Sequence, residues 1–283
     1  MKLSIITINW NNALGLEKTI QSVVGQTYSN IEYIIIDGAS NDGSIDVIKK
    51  YEKKISYWIS EPDKGIYNAM NKGMQVATGE YCLFLNSGDK LLSANILSEI
   101  LNNYKFNAGI ITCNLLKIGK KKSYVNAKDS VFFADFIFSN PIPHPSTFIK
   151  RELIQKHPYD ESYKVAGDYV FFFEMLVVEG ATYQHIPVAL SVFYEDGISS
   201  QNGNPIGKEE GKKLLSIYIS PNIVEQLKNS SPQEVKDLIN ARNLLRPRYY
   251  RIVYVLFKIL YKIQSIVSGV SDKLYFIKHR NNI

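Results

Sequence analysis

The sequence predicts an α/β protein whose mostly parallel, Rossmann-like central sheet is covered by helices on both faces. Two observations favour this fold class. Short runs rich in β-branched and aromatic residues alternate four times with segments whose apolar residues recur at helical spacing. Apolar residues also make up 45% of the chain, which is ordinary for a globular protein and enough to fill a sizeable core.

The first half of the chain supplies four pairs of strand and helix. Strands are predicted at residues 3–8, 31–37, 55–60 and 80–85. Helices are predicted at residues 13–26, 44–54, 65–77 and 93–104. Because a helix follows each strand, neighbouring strands are expected to run parallel.

From about residue 109 the pattern changes to longer strand-like segments with one helix among them. Strands are predicted at residues 109–118, 122–127, 130–138, 145–150 and 181–194, and the helix at residues 168–180. Residues 196–213 are polar and rich in glycine, which predicts a flexible loop. The chain therefore divides into residues 1–108, a mixed α/β part at 109–213 that continues the same sheet, and a C-terminal helical extension at 214–283.

The net charge of +6 comes from the C-terminal region. Residues 246–283 contain eight lysine and arginine residues against one acid, Asp272, so the rest of the chain is close to neutral. Lys258 and Lys262 interrupt the apolar run before it reaches the roughly 20 residues that a membrane-spanning helix needs. This pattern predicts a basic amphipathic helix on a membrane surface and no nucleic-acid partner. Packing of this helix on the rest of the chain, or on a second copy in a homodimer, is the alternative.

The two cysteines indicate a reducing compartment, and the N-terminus does not have the pattern of a signal peptide. Cys82 and Cys113 lie far apart in the sequence and form neither a disulfide framework nor a metal knuckle. The N-terminal apolar run is interrupted by Thr and Asn after a few residues, so it is interpreted as a first strand and not as a signal peptide. We therefore expect a cytoplasmic location.

Polar side chains gather at the ends of the first four predicted strands, where ligands bind in an open parallel sheet. They fall in residues 9–12, 37–42, 61–65 and 86–89. Asp37 ends a buried strand, so its carboxylate is expected to be free to accept from a ligand N–H, although a local turn or helix cap is the alternative. The segment after the first strand lacks the glycines of a dinucleotide-binding dehydrogenase. It also lacks the Gly-rich, basic phosphate loop expected of a nucleotidyltransferase.

Four segments in this order resemble the family 2 glycosyltransferases of the GT-A fold. They are SIITINWNN, IEYIIIDGASNDGS, EPDKGIYNAMNKGMQVATGEY and LFLNSGD, and the resemblance covers roughly residues 3–200. It implies an inverting enzyme that takes a sugar from a nucleotide diphosphate, of the type that builds bacterial surface polysaccharides such as capsule, O-antigen or exopolysaccharide. Residues 1–108 would then bind the nucleotide sugar, and residues 109–213 the acceptor.

The resemblance also implies which residues bind the donor. The positions that match base-binding residues are Thr7, Asn9, Asn11 and Asp37, and the positions around the ribose and diphosphate are Ser40, Lys64, Gly65 and Asn71. Asn86 is a further candidate for binding the nucleotide. The segment LNSGD matches the carboxylate motif of the family, whose last residue, here Asp89, would bind Mg²⁺ or Mn²⁺. Asn86 and Gly88 stand where acids are common, and a strand-ending turn is the structural alternative for this segment.

In the second half, Asp168 matches the acid that the family places at a helix N-terminus in the active site. An inverting transfer needs one base for the acceptor hydroxyl, and Asp168 is the candidate, with simple N-capping as the alternative. Asp160, Glu161 and His144 are candidate contacts for the acceptor or donor sugar, although a lone histidine is as often structural. His185 is a weaker candidate as a further metal or phosphate ligand.

The expected substrates follow from the same resemblance. The donor would be a UDP-sugar, and the acceptor a saccharide or an undecaprenyl-diphosphate-linked saccharide at the inner face of the cytoplasmic membrane. Because the carboxylate motif has Asn86 and Gly88 where acids are common, an alternative function remains. The protein would then be a membrane-associated scaffold of the same fold that binds a nucleotide without turnover. Release of UDP from a donor would distinguish the enzyme from the scaffold.

Overall fold

The computed structural model describes residues 1–119, 122–131, 135–136, 141–194, 205–218 and 225. The chain divides into two compact units, Met1–Gly211 and Lys212–Ile283. All the strands described below belong to the first unit. The predicted basic helix of the C-terminal region lies outside the described residues.

Strands and helices alternate in the first half of the chain. The strands are β1 (Leu3–Asn9), β2 (Ile31–Asp37), β3 (Tyr57–Ser60), β4 (Tyr81–Phe84), β5 (Lys90–Leu91), β6 (Ile110–Ile118), β7 (Lys122–Val125), β8 (Thr147–Lys150) and β9 (Tyr183–Tyr194). The helices are α1 (Ala13–Val24), α2 (Ser44–Lys50), α3 (Ile66–Val76), α4 (Ile96–Asn103), α5 (Arg151–Lys156), α6 (Gly167–Phe173) and α7 (Pro205–Tyr218). One π-helical turn, Glu174–Val178, continues α6. Short 3₁₀ turns cover Glu52–Lys54 and His144–Ser146.

The described strands form one mixed sheet. Its order is β3-β2-β1-β4-β8-β6-β9-β5, with β7 pairing beside β6. Strands β1 to β4 are mutually parallel, and β8 joins β4 in the antiparallel sense. All seven residues of β1 are buried, as expected for a strand covered on both faces. The α/β prediction is confirmed, and the carboxyl ends of β1 to β4 lie at one edge.

Some predicted elements differ from the structure. Residues 205–213, predicted as loop, form the first part of α7, which begins at Pro205, a residue suited to the first helical turn. The composition misled because this helix is polar apart from a few residues, among them the buried Leu214 and Leu215. In the segment 130–138, predicted as a strand, the described residues Asp135 and Phe136 are helical and buried.

None of the helices in the described part of the chain has the length and apolar content needed to cross a bilayer. The longest of them, α7, has 14 residues, well short of the roughly 20 that a spanning helix requires.

The two cysteines are free and buried, as their spacing predicts. Burial raises the pKa of the Cys82 thiol to about 12, and burial also raises the pKa of Cys113. A thiol with a raised pKa carries little thiolate near neutral pH, so these residues act as small apolar core residues.

Glu32 of β2 is a buried carboxylate that stabilises the start of the sheet. It accepts hydrogen bonds from Lys2 Nζ, Ser4 Oγ, and the backbone N–H and hydroxyl of Thr78, each at 2.6 Å. Burial alone would raise the pKa of Glu32, but these hydrogen bonds outweigh it and lower the pKa to about 2.

We predict that Glu32 makes the stability depend on acid. Because its folded pKa lies below its ordinary value of 4.5, its stabilising contribution is present above that value and is lost as pH falls towards about 2. The urea midpoint of the wild-type protein should fall over this range, and Glu32→Gln should be less stable at neutral pH with a flatter acid profile. The exposed Glu99→Gln is the matched control, and an unchanged profile for Glu32→Gln would contradict the assignment.

Candidate active site

The tips of β1, β2, β3 and β4 lie side by side at one edge of the sheet. Asn9 pairs with Asp37, and Asp37 pairs with Ser60, so three strands end in register. Pairing continues past β4, because the backbone N–H of Ser87 donates to the carbonyl of Ile8 at 3.0 Å. The polar residues that follow these strands in the sequence are therefore close together in space.

Asp37 is fully buried and all of its acceptor positions are used. Its Oδ1 accepts from Asn9 Nδ2 at 2.7 Å and Ser40 Oγ at 2.6 Å. Its Oδ2 accepts from the Ser40 backbone N–H at 2.9 Å and Ser60 Oγ at 2.6 Å. This differs from the expectation of a free carboxylate, because a carboxylate has about four acceptor sites and all four are occupied. In this structure Asp37 fastens the tips of β1, β2 and β3 together.

Two buried amide oxygens at the strand tips have no hydrogen-bond partner among the described atoms. They are Asn9 Oδ1 and Asn86 Oδ1. Asn9 is only 1% exposed, and its amide nitrogen is held by Asp37 and Ser40, so the oxygen cannot be exchanged for the nitrogen without breaking those contacts. Buried polar atoms are normally paired, so these oxygens are candidate acceptors for a ligand donor or a cation.

Thr7 is placed differently from the other predicted base-binding residues. It is fully buried, donates to the Leu85 carbonyl at 2.8 Å and lies 3.1 Å from Tyr33 Oη. Its hydroxyl therefore ties β1 to the end of β4 and offers no open contact for a ligand.

The loops at the rim of the strand tips are exposed and tightly tied. Asn11 has a positive φ of 47° and accepts from the Asn41 backbone N–H at 2.9 Å, while its own N–H donates to Ser40 Oγ at 2.8 Å. Beside them the indole of Trp10 is 63% exposed. Sequence reasoning missed Trp10, although a tryptophan that ends a buried strand among polar residues is the signal that could have found it.

The loop that contains Lys64 packs against the tip of β2. A Cβ placed on Gly38 would lie 2.6 Å from Asp63 Oδ2, so a larger residue there would require the Asp63 side chain to move. Asp63 Oδ1 accepts from the Gly65 N–H, and Gly65 has a φ of 123° that favours glycine. Lys64 is exposed, and its ammonium is paired with none of the described carboxylates.

The side chain of Asn71, predicted to lie near the ribose and diphosphate, is hydrogen-bonded to protein groups in this structure. Its Nδ2 donates to the Tyr159 carbonyl at 2.9 Å and to Glu161 Oε1 at 3.0 Å, and its Oδ1 accepts from the Tyr159 N–H. Glu161 also accepts from Asn68 Nδ2 at 2.9 Å. These contacts join α3 to the segment around residues 159–161. Asp160, in the same segment, accepts from the Ser162 N–H at 2.8 Å.

The turn at residues 86–89 is held by α1. Thr19 Oγ1 donates to the Asp89 carbonyl at 2.6 Å and accepts from the Gly88 N–H at 3.0 Å. Gly88 has a φ of 106°, and Asp89 is 7% exposed. The carboxylate expected to bind a metal is thus in a fixed turn beside the strand tips.

The donor set near this turn fits a hard divalent cation only in part. Among the described residues no group of three or more histidine, cysteine or acidic side chains could hold a metal ion. One carboxylate, Asp89, shares its turn with the unpartnered amide oxygen of Asn86. Mg²⁺ and Mn²⁺ prefer oxygen, and Mg²⁺ in particular is often bound by one or two carboxylates with substrate phosphates and water. The residues present fit a cation shared with a diphosphate and not a closed protein cage.

Asp168 lies in the first turn of α6 and is reached from α3. Tyr67 Oη lies 3.2 Å from Asp168 Oδ1 and donates to the Val165 carbonyl at 2.7 Å. Asp168 Oδ1 also accepts from the Tyr169 N–H at 2.8 Å. Burial and the negative charge of Asp168 hold the pKa of Tyr67 well above its usual value, so the phenol stays a hydrogen-bond donor.

His144 lies next to this group in an aromatic cluster. Its Nε2 is 2.8 Å from Tyr159 Oη, and its ring stacks on Phe84 with centroids 5.2 Å apart. Burial lowers the pKa of His144, and the negative charge of Asp168 partly opposes this by raising it. His144 is 6% exposed and its ring packs among Phe84, Tyr159 and Phe172, so little of its surface is open to a sugar.

His185 does not join the strand tips. It lies in β9, where its Nδ1 is 2.7 Å from Asp129 Oδ1 and its Nε2 is 2.9 Å from Asn114 Oδ1. Because both ring nitrogens are already engaged, His185 has no open position for a metal or a phosphate in this structure.

Comparison with known proteins identifies the family to which the sequence is similar. Residues 4–174 match the profile described as Glycosyl transferase family 2. An uncharacterized glycosyltransferase of Mycobacterium tuberculosis strain H37Rv is 30% identical over 207 residues, which cover 70% of this chain and 77% of the relative.

Two solved structures share the fold. TarS of S. aureus, residues 1–349 in complex with UDP-GlcNAc, has a TM-score of 0.61 at 15% identity, covering 80% of this chain and 70% of that 1–349 chain. The mannosyltransferase PcManGT of Pyrobaculum calidifontis, in complex with GDP-Man and Mn²⁺, has a TM-score of 0.54 at 16% identity, covering 96% and 88%. These likenesses establish a GT-A architecture for the chain.

Proposed function

The chain belongs to glycosyl transferase family 2, and from this premise we propose that it is an inverting enzyme that uses a UDP-sugar. The acceptor is a hydroxyl group of a saccharide or of a lipid-linked saccharide. One observation carries the proposal. Tyr67 lies in the first turn of α3, the helix that follows the loop containing Lys64, and its Oη lies 3.2 Å from Asp168 Oδ1. The helix that follows this candidate donor-binding loop therefore contacts the candidate base through one side chain.

Residues 1–108 bind the donor in this proposal. The exposed indole of Trp10 offers a flat surface on which a nucleobase can stack. The unpartnered oxygen of Asn9 offers an acceptor for a base or ribose donor group. The UDP-GlcNAc bound to TarS supports a uridine nucleotide as the donor. Because PcManGT binds GDP-Man, a guanosine nucleotide is the alternative that the experiment must include.

The diphosphate is proposed to lie between Lys64 and the turn at residues 86–89. Lys64 is exposed at the rim and can approach the phosphates with its ammonium group. A bound Mg²⁺ or Mn²⁺, held by Asp89 with the Asn86 amide oxygen, would neutralise negative charge on the leaving diphosphate.

Asp168 is the proposed base. Its carboxylate takes the proton of the acceptor hydroxyl, whose oxygen attacks the anomeric carbon from the face opposite the diphosphate. The bond from the anomeric carbon to the diphosphate oxygen breaks, and the nucleoside diphosphate leaves with that electron pair. Tyr67 keeps its proton because its pKa is raised. Its hydroxyl donates to the Val165 carbonyl at 2.7 Å and lies 3.2 Å from Asp168 Oδ1, so a neutral phenol borders the carboxylate and does not compete for the acceptor proton.

The acceptor is proposed to lie at the inner face of the cytoplasmic membrane. The support is the charge of residues 246–283, where eight basic residues accompany one acid. Basic segments next to apolar helical patterns bind anionic lipid surfaces, which would bring the enzyme to a lipid-linked acceptor.

A donor panel tests the proposed function. The purified chain is incubated with UDP-glucose, UDP-galactose, UDP-GlcNAc or GDP-mannose, with Mg²⁺, Mn²⁺ or a chelator, and nucleotide release is measured. We expect slow, metal-dependent release of UDP from one UDP-sugar and no release of GDP. Tight UDP binding without turnover of any donor would favour the scaffold, and release of GDP alone would contradict the uridine preference.

We predict that Asp89→Ala removes the metal dependence of nucleotide binding. Calorimetry of the wild-type protein should show UDP affinity rising at least about tenfold with Mn²⁺, since the cation bridges protein and diphosphate. In Asp89→Ala the affinities with and without Mn²⁺ should coincide. Asp46→Ala removes an exposed carboxylate from α2 and is the control. A metal response in Asp89→Ala equal to that of the control would reject the ligand role.

A further inference from the structure

The carboxylate of Glu210 binds three consecutive backbone N–H groups. Glu210 Oε1 accepts from the N–H of Lys164 at 2.7 Å, and Oε2 accepts from the N–H of Val165 at 3.0 Å and of Ala166 at 2.8 Å. Glu210 lies on α7, more than 40 residues further along the chain, and both partners belong to the unit Met1–Gly211. This contact is the only described use of that carboxylate.

Successive backbone N–H groups that point at one anion form a strong, directional site. Each of these hydrogen bonds is assisted by charge, and such bonds are roughly twice as strong as neutral ones. Glu210 is half-buried, so water weakens the contact only in part. A single carboxylate therefore fixes the backbone of three residues at once.

The fixed residues lead directly into the candidate base. Residues 164–166 precede Gly167, where α6 begins, and Asp168 is the next residue. Gly167 packs closely on the Tyr67 ring, since a Cβ there would lie 2.7 Å from Tyr67 Cε2. A shift of the 164–166 backbone would therefore move Asp168 relative to Tyr67.

Val165 is held from two sides. Its N–H donates to Glu210, and its carbonyl accepts from Tyr67 Oη at 2.7 Å. Tyr67 in turn contacts Asp168 Oδ1. The peptide group between Val165 and Ala166 is thus contacted twice: its N–H, from Ala166, donates to Glu210 on α7, and its carbonyl accepts from Tyr67 on α3.

We propose that Glu210 is a positioning residue for Asp168. By holding residues 164–166, it keeps the Asp168 carboxylate where it can take a proton from the acceptor hydroxyl or from water. This role rests on the proposed function of Asp168 as the base. Glu210 itself contacts no reacting atom, and it makes the geometry of the base depend on α7.

The first test measures turnover. We expect Glu210→Ala to lower kcat for hydrolysis of the donor selected by the panel about 10- to 100-fold, because a misplacement of about 1 Å can cost two orders of magnitude. KM for the donor and the calorimetric affinity for UDP should stay within about twofold. Glu210→Gln keeps one acceptor oxygen and should fall between. Glu209→Gln removes an exposed carboxylate from the same helix and should leave kcat unchanged.

A double-mutant cycle separates positioning from a general loss of structure. In the Asp168→Asn background, residual hydrolysis is measured at high protein concentration, with and without Glu210→Ala. If Glu210 acts through Asp168, it should cause no further loss there, because the group that it positions is already missing. A purely structural effect that lowered the folded fraction would reduce both backgrounds by the same factor.

Each outcome bears on one of the two claims. Asp168→Asn with wild-type turnover would contradict the proposed base, and the role of Glu210 would fall with it. An inactive Asp168→Asn protein combined with wild-type kcat in Glu210→Ala would refute only the positioning role, as would equal losses in both backgrounds. Hydrogen exchange gives a readout without turnover. Amides in residues 164–170 should exchange faster in Glu210→Ala than in Glu209→Gln, and equal rates would overturn the proposal.

Discussion

Replacing Asp168 with asparagine is expected to lower turnover by about 10²- to 10⁴-fold, the range contributed by a general base, while UDP affinity stays near the wild-type value. The substitution keeps the size of the side chain. The amide oxygen can still accept from the Tyr169 N–H and from Tyr67 Oη, so the start of α6 should be preserved. What the variant loses is the ability to hold a proton taken from the acceptor.

The measurement compares kcat and UDP affinity in the same preparation. Hydrolysis of the preferred donor gives kcat, and calorimetry gives the affinity for UDP. Asp46→Asn makes the same chemical change at an exposed position of α2 and should behave as wild type. Turnover of Asp168→Asn within about threefold of this control would exclude Asp168 as the base, since even a weak general base contributes far more.

Local sequence patterns were sufficient to predict the parallel strands β1 to β4 and the edge where polar residues gather. The apolar runs of β1, β2 and β4 are buried, and the residues that follow them meet because parallel strands end at one edge. This part of the fold depends on the period of the apolar residues and on strand direction, both of which can be read within short windows.

The contacts that define individual side chains could not be predicted in this way. Tyr67 and Asp168 are 101 residues apart, and no periodicity connects them. Glu210 lies in a segment whose polar composition predicts a loop. Only the folded chain brings the Glu210 carboxylate to the backbone of residues 164–166.

The sequence also does not show whether the acceptors and donors of a polar side chain are already used by other protein groups. The resemblance predicts that Asp37, Thr7 and Asn71 bind the donor, yet in the structure each side chain is hydrogen-bonded to neighbouring protein groups. Residue type and spacing predict that a polar group is near the site. They do not predict whether it faces a ligand or another side chain.

Replacing Asp37 with alanine is expected to damage both stability and nucleotide binding. The change leaves the Ser40 backbone N–H, Asn9 Nδ2 and the Ser60 hydroxyl without this acceptor. Asp37 and Asn9 are buried, and Ser40 and Ser60 are half-buried. Each buried group left unpaired costs about 1–3 kcal/mol, and hydroxyls that can rotate recover part of it. We expect a loss of about 2–4 kcal/mol in the free energy of unfolding in urea and a UDP affinity at least about tenfold weaker. Asp46→Ala is the control, and wild-type stability of Asp37→Ala would show that these hydrogen bonds contribute little.

Ser60→Ala then distinguishes two roles for Asp37. If the nucleobase binds Asp37 directly, it must displace one of the protein donors. Removing the Ser60 hydroxyl would free one acceptor site on Oδ2, so the UDP affinity of Ser60→Ala should stay the same or rise. If Asp37 instead organises the strand tips so that Asn9 and the rim loops face the base, loss of this tie should weaken UDP binding. The structure has every acceptor site of Asp37 filled, so we expect the affinity to fall, by about 3- to 10-fold for one lost hydrogen bond. Tighter binding of UDP to Ser60→Ala would instead support direct contact between Asp37 and the nucleobase.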